Sequence, residues 1–244
     1  MNRPTIRATI AAGTAAVLIG AFIVSAPAAQ AEETCFGLTP TITGTEGNDT
    51  LDGTISDDVI VGLGGNDTIN ALGGDDTICA GPGDDEVFGE IEDFDEIPGN
   101  GTVGKELIDG GTGNDRLFGD CCGTSGSGSP APGNDDVIYG GWGSDEVVGG
   151  TGNDRAYGGP DDDNVFGNHG NDRVYGDSGN DTVSGGFDGF DNWDNRTSSD
   201  VVSGGRGDDI LFGNVQGDLS SPRVSLVFGD DTLIGGPGRD RLFG

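Results

Sequence analysis

A nine-residue period runs from Gly44 to the end of the chain, and it constrains the fold more than any other feature. Cut in nines, the sequence reads GTEGNDTLD from Gly44, GTISDDVIV from Gly53, GLGGNDTIN from Gly62, ALGGDDTIC from Ala71 and AGPGDDEVF from Ala80. A degenerate copy, GTVGKELID, starts at Gly101 and a clear one at Gly110. Contiguous copies then start at Ala131, Gly140, Gly149, Gly158, Gly167 and Gly176, two more at Asn195 and Gly204, and the last two at Leu226 and Gly235. Four inserts interrupt the phase, over 89–100, 119–130, 185–194 and 213–225. Of the 17 copies, 16 carry aspartate in the sixth place and one carries Glu106, while the eighth place is aliphatic throughout, with Ala156 the only small one. Such a period marks stacked units that bury their apolar faces only against their neighbours.

Composition alone points elsewhere. With 32% hydrophobic residues and a formal net charge of -32, a chain of this kind reads as disordered. The 50 glycines lack a strict third-residue period, which excludes collagen, and the acidic balance argues against nucleic-acid binding through a basic surface. The 43 acids divide into 34 aspartates and 9 glutamates. Aspartate is a turn former and a hard oxygen ligand, so its phasing with glycine points to repeated calcium-binding turns rather than to a solvated acidic surface. Glycine in the first four places is expected to supply positive φ and to turn carbonyls inward. The sixth-place carboxylate stands beside them, and places seven to nine form a short strand with its middle residue facing the core.

The pattern resembles the RTX (repeats-in-toxin) nonapeptide G-G-x-G-x-D-x-U-x. The resemblance implies an all-β fold, a right-handed parallel β-roll in which two nonapeptides make each 18-residue turn and calcium sits between successive turns. It carries a ligand role to Asp49, Asp58, Asp67, Asp76, Asp85, Asp115, Asp136, Asp145, Asp154, Asp163, Asp172, Asp181, Asp200, Asp209, Asp231 and Asp240. If each ion bridges copies two apart, the unbroken runs 44–88 and 131–184 hold about seven ions. Thr45 and Thr54 in the second place, and Ser56, Asn134 and Asp161 in the fourth, depart from the pattern, so their turns either bind more weakly or only continue the roll. A thin core and a self-repelling charge predict a chain that is disordered without calcium and β-rich with it.

Upstream, Arg3 and Arg7 precede an uncharged run from Ala8 to Ala29, and Ala29-Gln30-Ala31 closes it before acids begin at Glu32. This reads as a secretory signal peptide over 1–31, since its apolar centre, Ala15–Val24, is short for a membrane span. Residues 32–43 then form an N-terminal cap and 44–244 the roll, secreted to the exterior or the cell surface with no membrane span in the mature chain. Ending on a repeat at Gly244, the roll has a frayed last turn, an open edge, or a place as one module of something larger. Export makes disulfides the expected use of Cys35, Cys79, Cys121 and Cys122. Their pairing stays open: Cys35 with Cys79 plus a vicinal bond is one option, and crossed pairings are the others.

Nothing reads as an enzyme. His169, the only histidine, occupies a third place and reads as an exposed turn residue, and no HExxH or GxSxG motif is present. Family members with protease, lipase or pore-forming activity carry it in a separate domain, for which this chain has no room. The expected role is structural, adhesive or surface-associated; the second reading is an effector or enzyme whose activity resides in the inserts or a partner subunit. Tyr139, Tyr157 and Tyr175 recur in the ninth place every 18 residues, with Arg155 and Arg173 two residues before the latter two. They read as a stacked outward ladder that stiffens one sheet, or as a contact strip for a glycan or protein.

Overall fold

An aliphatic side chain in every ninth position is buried only if successive copies stack, and the computed structural model shows that stack. It describes residues 34–91, 104–121, 133–188, 199–216 and 230–244; the expected signal segment and most of each insert lie outside the described residues. Among the described residues, eighteen strands form two nine-stranded sheets in which all neighbours are parallel, alternate strands belonging to opposite sheets. One sheet runs from Ile42–Thr43 to Thr232–Ile234, the other from Thr50–Thr54 to Arg241–Phe243. The architecture is a parallel β-roll, and among the described residues no helix is long and apolar enough to cross a membrane.

Strands are longer than the expected three residues. Thr77–Pro82, Leu107–Thr112 and Arg155–Pro160 each span six, from the seventh place through the third place of the next copy. Pairing continues through the glycines, as Gly81 with Gly111 and Pro82 with Thr112. The roll also begins before the first full repeat: Thr41 N–H donates to the Val59 carbonyl at 2.8 Å, and Ile42 pairs with Ile60. The segment read as a cap therefore ends in a strand.

Register fixes where the inserts sit. Successive turns are offset by 18 residues in the unbroken runs, as between Asp154 and Asp172. The offset becomes 30 from Asp85 to Asp115, 28 from Asp172 to Asp200 and 31 from Asp209 to Asp240. Each value is one turn plus one insert, so the inserts leave the stacking undisturbed. They do not fall between copies, however, as the sequence reading has it. Glu90 pairs with Asp120 and Ile91 with Cys121, so each insert opens with residues that complete a strand. A Cβ on Gly119 would meet the Asp136 carboxylate, and one on Gly185 would meet that of Asp200 at 2.7 Å, the contacts that mark a first-place glycine. Gly89, Gly119, Gly185 and Gly213 thus supply the first place, and pairing continues through Ile91 and Cys121 at the first two inserts and through Asp188 and Gln216 at the last two. The starts counted by sequence phase, Gly101, Ala131, Asn195 and Leu226, lie outside the described residues.

The core is a double file of eighth-place side chains. Ile60, Ile69, Ile78, Val87, Ile108, Leu117, Ile138, Val147, Val165, Val174, Val183, Val202 and Leu211 are fully buried, joined by Ala156 and by the first-place Ala71 and Ala80. At the ends Leu51 and Leu233 only pack against it, and Leu242 is exposed. Outside, the tyrosine ladder stacks as expected, with Tyr139–Tyr157 centroids 5.0 Å apart and Tyr157–Tyr175 centroids 4.9 Å apart. The opposite sheet stacks Phe88 on Phe118 at 5.3 Å, beside a Glu86–Arg116–Glu146 rung across three turns. Of the open cysteine pairings the structure forms Cys35–Cys79, which ties the N-terminal segment across the outer face of the first sheet, where Phe36 leans on Tyr139. The Cys121 and Cys122 side chains lie outside the described residues.

Ile138→Ala removes three carbons from a file with no room to collapse, at an expected cost of about 2–4 kcal/mol in calcium-saturated denaturant unfolding. Tyr157→Ser loses two stacking faces and should cost about 1 kcal/mol by the same measurement.

Candidate metal centre

Each turn is shaped by close backbone approach. Glycine at the first place is required by space: a Cβ on Gly62 would lie 2.5 Å from Asp67 Oδ2 and closer still to the Ala80 carbonyl oxygen. Positive φ occurs in the second and fourth places rather than in all four, as at Gly81 (113°) and Gly83 (150°). Leu63, Leu72, Asn168 and Asp177 accept it in the second place and Asp161 in the fourth, so these departures continue the roll. Ala71 and Ala80 are the exceptions at the first place, where a buried methyl stands in the space other copies leave open.

The sixth-place aspartates form two files, one along each edge of the roll. In the first, Asp49 N–H donates to Asp67 Oδ1 at 2.8 Å, Asp67 to Asp85 at 2.7 Å and Asp85 to Asp115 at 2.8 Å, and the chain continues through Asp145, Asp163, Asp181 and Asp209 to Asp240. The second links Asp58 to Asp76, then runs from Glu106 through Asp136, Asp154, Asp172 and Asp200 to Asp231. One carboxylate oxygen thereby satisfies a backbone donor of the preceding turn. The other oxygen points into the turn, and in Asp67, Asp76, Asp85, Asp115, Asp136, Asp145, Asp154, Asp163, Asp172, Asp181 and Asp209 it is buried with no hydrogen-bond partner. Asp200 is equally buried, while Asp49, Asp231 and Asp240, at the ends, are half-buried.

Unpaired buried carboxylate oxygens beside inward carbonyls are costly unless a cation meets them. The donors are all hard oxygens, the set calcium takes, and the first-place glycine preserves the cradle, so the residues fit calcium. Asp49 and Asp58 differ. Thr45 donates to Asp49 Oδ2 through N–H at 2.6 Å and its hydroxyl at 2.8 Å, and Thr54 does the same to Asp58 at 2.8 and 2.9 Å. Here threonine satisfies the oxygen that is orphaned elsewhere.

One layer escapes the sequence reading. Fifth-place side chains accept N–H bonds from the fifth-place residue of the adjacent turn, as Asn66 from Asp84 at 3.2 Å and Asn153 from Asn171 at 3.0 Å. The signal was present, since 13 of 17 fifth places are Asn or Asp. Glu90 and Asp120, both buried, were also missed because the inserts were cut away with them. His169 is exposed as expected, but it ends the strand Asn164–His169 rather than lying in a turn.

Crowding raises the protonation constants. Burial pushes Asp85, Asp145 and Asp181 up to about 6, Asp76, Asp115 and Asp154 up to about 7, and Asp163 and Asp172 up to about 8. Neighbouring aspartates add to the rise at several of them, and the bond from the preceding N–H opposes it. Burial first, and then the neighbouring Asp136, push Glu106 far above the carboxylate range, and burial raises Asp136 with it.

A family model described as RTX calcium-binding nonapeptide repeat (4 copies) matches residues 41–69, 52–87, 100–120, 133–156, 157–189, 196–219 and 228–244, well over half of the chain. No curated protein matches it.

These shifts set a pH dependence. The metal-free roll holds protons that the unfolded chain releases at ordinary carboxylate values near about 4. Its stability is therefore greatest below that range and is lost as pH rises through about 6 to 8. Calcium-stripped protein should show more β signal by circular dichroism at pH 5 than at pH 8, and its calcium midpoint should fall over the same interval. A metal-free signal that grows with pH would contradict this.

Proposed function

The chain belongs to the RTX calcium-binding nonapeptide repeat family, and from that membership we propose that it works outside the cell as a calcium-folded structural or adhesive roll. It is a calcium-binding repeat protein. The observation that carries the proposal is the double file of inward carboxylate oxygens, eleven of them buried and without a hydrogen-bond partner. Those eleven aspartates are the proposed principal ligands, and Asp200, Asp231 and Asp240 join them by register. Asp49 and Asp58 rank last, because a cation there competes with two threonine bonds. Calcium when bound supplies the positive charge that such carboxylates otherwise lack, tying each turn to the next.

Export rests on the signal-like segment 1–31, and the structural role on the even stacking of turns around a double-file core. The tyrosine column supports the adhesive part of the proposal less directly. Its ring faces are taken up by one another, so it offers hydroxyls and ring edges, which suit polar contacts to a protein surface better than sugar stacking. We assign it no catalytic role.

Far-UV circular dichroism of the chain lacking 1–31 tests the central claim: a coil spectrum in chelator should convert to a β spectrum in millimolar calcium. Identical spectra would sink it. Asp172→Asn keeps the Oδ1 acceptor while removing a charge, so the variant should still fold at high calcium and bind fewer ions by native mass spectrometry.

A further inference from the structure

The second aspartate file is interrupted once. Asp76 is followed one turn later not by aspartate but by Glu106, 2% exposed, and neither Glu106 oxygen accepts a hydrogen bond, so the link that would receive the Asp76 N–H is missing. The extra methylene carries the carboxylate out of the file and toward Asp120 and Asp136, which are 4% and 0% exposed. One oxygen from each of the three lies within 4.8 Å of the others. The Asp136 Oδ2 is likewise buried without a partner. Asp120 is held by Thr151, whose N–H and hydroxyl donate to Oδ2 at 3.2 and 3.0 Å. Glu90 adjoins in the neighbouring strand, paired in register with Asp120, its Oε2 accepting the Gly104 N–H at 3.1 Å.

This donor set is not that of a repeat turn. Elsewhere the second place holds glycine, threonine, leucine or asparagine, or, at Asp177, an acid that is exposed. Glu90 and Asp120 are buried second-place acids, and both belong to the opening residues of an insert. The first insert rejoins the roll at Gly104, beside Glu90, and the second at Gly133, whose Cβ would strike the Asp120 carboxylate. A buried group of acids at this density needs a counter-charge, and among the described residues no basic side chain pairs with Glu106.

We propose that Glu106, Asp120 and Asp136, with Glu90 adjoining, form an atypical cation site that takes the place of the ordinary turn site at Asp136 and holds one calcium ion where the first two inserts leave and rejoin the roll. Three converging carboxylates and no nitrogen or sulfur donor select a hard divalent cation, and the higher charge count makes it the tightest position in the chain. Its ion locks the exits of two inserts, and so joins the repeats before residue 91 to those after residue 133.

The test is calcium chloride titration of the chain lacking 1–31 by calorimetry, with bound ions counted by native mass spectrometry. Glu106→Gln and Asp120→Asn are near-isosteric, and each should lose one ion and weaken the tightest constant by about tenfold or more. Glu106→Asp restores the repeat residue and the missing bond to Asp76; it should fold at least as well while the tightest constant weakens to that of an ordinary repeat turn, and it decides the matter if the other variants do not fold. Unchanged ion count and tightest constant in the variants would overturn the site, leaving Glu106 and Asp136 to share a proton instead. Absence of all calcium binding in the unaltered chain would instead overturn the proposed function, so the two failures are distinguishable.

Discussion

Everything in this roll depends on how one carboxylate divides its two oxygens. Asp172 gives Oδ1 to the Asp154 N–H at 2.9 Å, which stitches one turn to the next, and leaves Oδ2 buried and unmatched in the turn. The stitch supplies register; the unmatched oxygen supplies the demand for a cation. A chain built this way cannot bury its turns at neutral pH without either protons or metal, and a double file of aliphatic residues is too thin to compensate. Calcium is thus a structural component of the fold in this family.

The same division explains the departures. Where threonine fills the second place, at Thr45 and Thr54, it supplies donors to the second oxygen and the turn is satisfied by protein alone. Where glutamate replaces aspartate, the stitch is lost and both oxygens turn elsewhere. Substitutions that look like drift in a repeat alignment therefore have distinct consequences, set by which of the two oxygens they reach.

Much of the architecture was legible beforehand. The eighth place predicted the core because an aliphatic residue at a fixed phase has only its counterparts to pack against, and Ile78 and Val174 do so fully buried. The tyrosine column followed from an 18-residue recurrence and stacks at 4.9 to 5.0 Å. Insert boundaries were misplaced for a physical reason: Gly89 and Gly119 complete their strands before the chain departs, and sequence phase counts whole copies without showing where in a turn a loop leaves. The fifth-place bonds were overlooked because Asn and Asp serve equally as turn formers, and only the neighbouring turn shows what they accept.

By itself the sequence determined the repeat, the inward residue and the hard oxygen ligand, since a period of nine fixes which side chains recur together; the parallel stacking with calcium between turns was what its resemblance to the RTX repeat implied. The tertiary structure decided what lies across turns. It joined Cys35 to Cys79, brought Glu106, Asp120 and Asp136 within 4.8 Å, and separated the aspartates whose second oxygen is unmatched from those that threonine satisfies. Those contacts connect residues up to 44 positions apart. Local sequence sets the conformation of each turn, but only the lateral stacking of turns places such groups beside one another.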